Sequence, residues 1–185
     1  MFLFFVLPLC ITVAFTNPSC TPGFYLSGTQ CRKCQIGSYC PDGQTQLTCP
    51  PGSYTDLYEQ SQCRLCRPGW YQFKSGSTVC LRCGLGCSCA NSTQLPEQCD
   101  VGTYADLYGQ TQCRQCRKGY YNVKKGATYC TKCPLGHECA NSKVAPIPCP
   151  IGFYNALYEQ TKCRPCIKGS TTQTVGQTAC INVVG

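Results

Sequence analysis

The chain has little of what catalysis and ordinary globular packing require. Among its 185 residues there is one histidine, one tryptophan, one methionine and eight acidic residues. The histidine, His137, stands in no recognisable pattern with a nucleophile, and Asp56 and Asp106 occupy the same position in a repeated segment. Acid–base and nucleophilic catalysis need groups that converge, so the sequence names no catalytic residue and no cofactor site, and the chain is not expected to be an enzyme. No segment spaces apolar residues at i, i+3, i+4 and i+7 over the length of a helix, and none alternates over the length of an ordinary strand. Aliphatic residues come singly, which excludes a large hydrophobic core. Long apolar runs are missing too, except at the start. Met1–Ile11 (MFLFFVLPLCI) is uncharged and apolar but shorter than the roughly 20 residues a membrane span takes. It reads as a secretory signal peptide over residues 1–16, with cleavage near Ala14 or Thr16 ahead of Asn17-Pro18. The C-terminal residues after Cys180 lack the hydrophobic tail of a lipid-anchor signal. The expectation is a secreted, extracellular protein that is not membrane-anchored.

Cysteine and charge of one sign are what the chain does have. Its 22 cysteines are about 12% of the residues, above the roughly 8–10% that marks a disulfide scaffold. Such usage belongs to an oxidising compartment. The cysteines follow a ruler of about fifty residues. Cys31, Cys34, Cys40, Cys49, Cys63 and Cys66 are followed by Cys80, Cys83, Cys89, Cys99, Cys113 and Cys116, then by Cys130, Cys133, Cys139, Cys149, Cys163 and Cys166, closing on Cys180. Segments between them repeat as well: YTDLYEQSQCRLC (54–66), YADLYGQTQCRQC (104–116) and YNALYEQTKCRPC (154–166). A fixed period of this kind marks an array of small modules. Disulfides must stabilise them, each worth roughly 2–4 kcal/mol on the chain-entropy account.

Inside the long period lies a shorter phrase, x-x-Gly-x-Tyr, at Gly23/Tyr25, Gly37/Tyr39, Gly52/Tyr54, Gly69/Tyr71, Gly102/Tyr104, Gly119/Tyr121 and Gly152/Tyr154. The glycine is expected to supply a positive φ for a tight turn, and the tyrosine to pack its ring over a disulfide with its hydroxyl in water. Gly86, Gly136 and Gly169 break the rule, and the first two sit beside Cys89 and Cys139, where a different hairpin is expected. The last module is irregular and has Val183 where a cysteine would recur.

These residues carry a resemblance. CQIGSYCPDGQTQLTCPPGSY (34–54), continuing to CRLCRPGWY (63–71), resembles the ephrin-receptor-like cysteine-rich repeat, a relative of EGF-like and growth-factor-receptor modules. CTPGFYLSGTQCRKCQIGSYC (20–40) is also similar to a tumour-necrosis-factor-receptor module. The resemblance implies a small disulfide-rich fold: an elongated rod of tandem EGF-like/ephrin-receptor-like modules with short β-hairpins and little helix. The expected divisions are residues 1–16, an N-terminal cysteine-rich module over 17–48, repeats over 49–98 and 99–148, and a partial repeat over 149–185. No calcium-binding acidic signature is visible. Cys-x2-Cys also suits zinc or a thioredoxin-like redox site, but an oxidising compartment disfavours the first and the lack of an α/β context the second. No metal is assigned.

Removing Cys10 with the signal peptide leaves an odd number of cysteines. Cys87 is the odd one, since it aligns with Ser38 and His137, leaving Cys20 and the nineteen cysteines of the ruler to pair internally. Two pairings leave no remainder: neighbours in order (20–31, 34–40, 49–63, 66–80 and onward), or interlaced around each Cys-x2-Cys (49–66, 63–80). Spacing does not choose between them. Cys87 is the candidate for a disulfide-linked homodimer. Asn91-Ser92-Thr93 is a glycosylation sequon in a polar loop. Sixteen Lys and Arg against eight acids give +8, and each Cys-x2-Cys carries a base: Arg32 and Lys33, Arg64, Arg82, Arg114, Lys132 and Arg164. Aligned on a rod, they would attract acidic surfaces. The sequence therefore points to extracellular binding of a protein or an acidic glycan, with nucleic acid excluded by secretion. The alternative is a structural component of a skeletal, shell or adhesive matrix.

Overall fold

The computed structural model of the chain describes residues 19–183. The expected signal peptide, with Cys10, falls outside those residues. Among the described residues there is no helix, and so none long and apolar enough to cross a membrane. Twenty short strands pair in sequence order into ten antiparallel hairpins. The first pairs β1 (Phe24–Ser27) with β2 (Gln30–Lys33), and the rest use strands of two residues, such as Trp70–Tyr71 against Leu81–Arg82. The chain is thus a small disulfide-rich array of tandem modules.

Each hairpin opens on the same turn. In Thr21-Pro22-Gly23-Phe24 the N–H of Phe24 donates to the carbonyl of Thr21 at 3.0 Å, and Trp70 donates to Arg67 and Tyr120 to Arg117 at the same distance. Glycine holds the third turn position with φ between +70° and +93° in all ten hairpins, a backbone that side chains resist. Its carbonyl then accepts from the residue after the second strand, as in Cys34 N to Gly23 O at 2.9 Å. Val183 keeps that bond, to Gly169 at 2.9 Å. The Cys-x2-Cys step is therefore the return strand of one hairpin and the start of the next.

Ten disulfides join neighbours in order: 20–31, 34–40, 49–63, 66–80, 83–89, 99–113, 116–130, 133–139, 149–163 and 166–180. The interlaced arrangement does not occur. Seven of these bridges span the hairpin loop. The other three, from Cys34, Cys83 and Cys133, close only six residues and leave the following loop uncrosslinked. A side chain braces that loop instead. Asp42 Oδ1 accepts from the N–H of Gln44 and Thr45, Asn91 Oδ1 from Thr93, and Asn141 Oδ1 from Lys143, each at 2.9 Å. The hairpins of Gly86 and Gly136 were expected to differ, yet Cys87–Ser88 pairs with Glu97–Gln98, and His137–Glu138 with Ile147–Pro148, as in every other copy. Only the bridge and the loop change, because a two-residue ladder needs no particular side chain.

Hairpins join through their backbones. Gly37 N donates to Thr55 O of the next hairpin, and Gly86 N to Ala105 O and Gly136 N to Asn155 O do the same across the positions where the fifty-residue repeats meet. Bonding is continuous along the array. Its interior is a column of cysteines and of the residues that follow the tyrosine position: Thr55, Gln72, Ala105, Asn122, Asn155 and Thr172 are all buried. The polar ones feed backbone carbonyls. Gln72 Nε2 donates to Val79 O at 2.8 Å, Asn122 Nδ2 to Thr103 O at 2.9 Å, and Thr55 Oγ1 to Ser38 O at 3.2 Å. A chain without a hydrophobic core thus buries small polar side chains that each satisfy a neighbour.

Candidate binding surface

Ten of the twelve tyrosines, all but Tyr120 and Tyr129, fall into two populations. Those of the Gly-x-Tyr phrase are half-buried beside the interior column. A second set recurs at fifty-residue intervals with far greater exposure: Tyr58 at 53%, Tyr108 at 55% and Tyr158 at 57%, each preceded by a leucine that is also more than half exposed. These Leu-Tyr pairs ride on pinned loops. The N–H of the residue after the tyrosine donates back to the preceding hairpin, Glu59 to Cys34 O, Gly109 to Cys83 O and Glu159 to Cys133 O, at 2.9–3.0 Å. The next residue accepts in return, Gln60 O from Cys40, Gln110 O from Cys89 and Gln160 O from Cys139. Three apolar pairs are thereby held out in water on backbone fixed from both sides. In the sequence these segments stand out as repeats, and their spacing does not mark them as a surface. Their signal was an apolar Leu-Tyr dipeptide inside a polar loop.

The seven bases of the Cys-x2-Cys steps fall at two strand positions. Arg32, Arg64, Arg114 and Arg164 lie opposite the phrase tyrosines Tyr25, Tyr54, Tyr104 and Tyr154. Lys33, Arg82 and Lys132 lie one residue on, opposite Phe24, Trp70 and Tyr120. Adjacent strand residues face opposite sides of a sheet, so these are two rows. Much of each row is engaged by the chain itself. Arg64 pairs with Asp56 at 3.4 Å and Arg114 with Asp106 at 3.2 Å, while Lys33 reaches Glu59 at 2.5 Å and Lys132 reaches Glu159 at 3.2 Å. Arg82 donates to Tyr108 O at 3.4 Å. The side chains of Arg32 and Arg164 are exposed and form no hydrogen bond or ion pair among the described residues.

Glu159 gathers the densest polar cluster. It accepts from the Tyr120 hydroxyl at 2.6 Å and lies 3.6 Å from Arg117, whose guanidinium stacks over the Tyr120 ring at 4.2 Å and bonds its hydroxyl. The Tyr120 hydrogen bond, followed by that of Lys132, holds the Glu159 carboxyl below its usual range. Between the hairpins of Cys49 and Cys66 an open groove of about 650 Å³ presents Tyr54, Leu65, Arg67, Trp70 and Val79. A sister groove lies one hundred residues on, with Tyr154, Ile167, Ser170 and Ala179.

Cys87 is the free cysteine of the described residues, half-buried on its strand. Asn91 is exposed, and its Oδ1 accepts from both the N–H and the hydroxyl of Thr93, at 2.9 and 2.7 Å. No cluster of three or more His, Cys, Asp or Glu that could hold a metal occurs among the described residues.

A family profile described as tyrosine-protein kinase ephrin type A/B receptor-like matches residues 102–144. Those residues run from Gly102, in the hairpin of Cys99, into the braced loop after Cys139. A comparison with the curated proteins finds no match.

Proposed function

Because the chain is an ephrin-receptor-like, EGF-like cysteine-rich repeat protein, we propose that it is secreted, non-enzymatic and binds a protein or acidic glycan outside the cell. The repeat family is of non-catalytic receptor type, and the disulfide density is that of extracellular domains. The observation that carries the reading is the threefold display of Leu57-Tyr58, Leu107-Tyr108 and Leu157-Tyr158 on pinned loops. Tyrosine offers large contact area for few rotatable bonds, and a loop already fixed loses little entropy on binding. Three equal sites on one chain also allow avidity.

The test is saturable binding of labelled protein to surfaces of the secreting tissue. Replacing all three Leu-Tyr pairs by Ser-Ser should abolish it while the ten disulfides remain. Binding unchanged by that replacement would sink the reading.

The matrix reading draws on a different pair of features, the exposed tyrosines and the free Cys87. In that reading Cys87 joins two chains. Intact mass without reductant then gives a dimer that becomes a monomer in Cys87→Ser, whereas a monomer with one free thiol rejects the link.

A further inference from the structure

The array contains three copies of one cradle, and the middle copy lacks the part that fills the other two. In each copy an aromatic residue faces a base across a hairpin: Phe24 and Lys33, Trp70 and Arg82, Tyr120 and Lys132. In each, a loop from two hairpins further on crosses the cradle, bringing Glu59, Gly109 or Glu159 to the same place. The backbone there is equivalent, with φ of +62°, +76° and +64°, and the carbonyl of that residue lies where a Cβ on Gly23, Gly69 or Gly119 would stand. In the first copy the Glu59 carboxylate meets Lys33. In the third, Glu159 meets Lys132, Arg117 and the Tyr120 hydroxyl. The middle copy keeps the cationic and aromatic parts. Arg67 stacks on Trp70 at 4.5 Å, as Arg117 does on Tyr120, and a Cβ at Gly109 would come within 3.5 Å of Arg82 Nε. It has no carboxylate. Among the described residues neither Arg67 nor Arg82 enters an ion pair, and the indole N–H of Trp70 has no hydrogen-bond partner; Arg82 donates only to the Tyr108 carbonyl at 3.4 Å and lies over the Tyr108 ring at 5.4 Å.

The turn does not demand glycine at position 109, because glutamate adopts the same backbone in both sister copies. The missing side chain therefore leaves the place of the carboxylate vacant, beside Arg82 and the Arg67–Trp70 stack. We propose that Arg67, Trp70 and Arg82 form a docking site for the carboxylate of an acidic residue on a partner protein. This inference rests on the binding reading above and names the partner's chemistry. The sister copies show what such a cradle holds: a single carboxylate carried on a protein loop, in charge-assisted hydrogen bonds. A sulfated glycan would instead need a run of free bases, and Arg64 and Arg114 on either side are already held by Asp56 and Asp106.

Trp70 is the sole tryptophan of the chain, so its fluorescence reports on this site alone. The full chain is titrated with hexaglutamate, with hexaglutamine and with a heparin-derived hexasaccharide. Hexaglutamate should shift the emission saturably, hexaglutamine should not, and added salt should weaken the effect by screening. Gly109→Glu should shift the emission before any peptide is added and lower the hexaglutamate affinity about tenfold or more, because the vacant place is then filled from within. Arg82→Gln should lower the affinity similarly, and it carries the test alone if Gly109→Glu fails to form ten disulfides. Emission unmoved by hexaglutamate, or moved equally in Gly109→Glu and Arg82→Gln, overturns the site. A response to the hexasaccharide only overturns it as well, while leaving the broader binding reading, tested through the Leu-Tyr loops, standing.

Discussion

A methyl group added at Gly69 would overlap the carbonyl of Gly109, a backbone atom of a loop that arrives from two hairpins later. It would also force a side chain onto φ of +80°. Gly28 has a similar φ, +66°, but nothing within 4 Å of the added carbon. The two sites separate conformational cost from close approach. Gly28→Ala should lower stability by only about 1–2 kcal/mol, the cost of left-handed backbone, whereas Gly69→Ala should prevent recovery of protein with ten native disulfides. Yield of fully oxidised monomer after refolding checks both, and equal losses would refute the packing argument. Asn155 offers a second comparison. Its Nδ2 donates to His137 O at 2.8 Å and to Lys162 O at 3.2 Å, but its buried Oδ1 has no partner. Thr55, one hundred residues earlier, makes the corresponding bond to Ser38 O without a spare oxygen. An unsatisfied buried oxygen costs about 1–3 kcal/mol, and the bond to Lys162 O is lost in exchange. Asn155→Thr should therefore raise the melting temperature, and a fall would contradict this account of the interior column.

The array and its turns were legible in the sequence where chemistry is local. Cysteine spacing gave the array, and glycine after Cys-x-x gave the turn. Spacing was silent on the pairing, because both schemes use every cysteine of the framework. The interior column was invisible for another reason. Thr55, Gln72, Ala105 and Asn122 share no hydrophobicity, only modest size or a donor aimed at a carbonyl, and no apolar period reports that. The cradles were missed because Lys33 and Glu59, or Lys132 and Glu159, stand some two dozen residues apart and on different hairpins. Their ion pairs make a prediction about pH. In the fold Glu159 is held below 4.5 by Tyr120 and Lys132, Asp42 below 3.8 by the N–H groups of Thr45 and Gln44, and Asp100 below 3.8 by Lys125. A depressed carboxyl contributes stability that is complete above its unfolded value and is lost as pH falls through the folded one. Lys33, raised above 10.5 by Glu59, contributes in the opposite sense, with its share lost as pH rises through that folded value. Thermal stability should therefore be flat near neutrality and decline modestly below about pH 4.5. Glu159→Gln should shrink that decline, and an unchanged acid limb in the variant would contradict the assignment.

Across the whole molecule, hydrogen bonds and ion pairs reach no further than the second neighbouring hairpin among the described residues. That is the energetics of a one-dimensional array, in which each unit is supported by those beside it. On the proposed reading, binding belongs to what the repeats carry outward, the Leu-Tyr loops and the middle cradle, and to the ways in which copies differ. All of this depends on each unit being closed by its own disulfide. Trypsin can decide that, because it cleaves after the Cys-x2-Cys bases Lys33, Arg64 and Arg82. Arg64 lies between Cys63 and Cys66, and Arg82 between Cys80 and Cys83. Digested without reduction, in-order pairing releases the fragment of residues 34–64, containing the 34–40 and 49–63 bridges, separate from residues 65–82. Mass spectrometry should find those two fragments apart. If they remain joined until reductant is added, the bridges interlace and the array of self-closed hairpins is wrong.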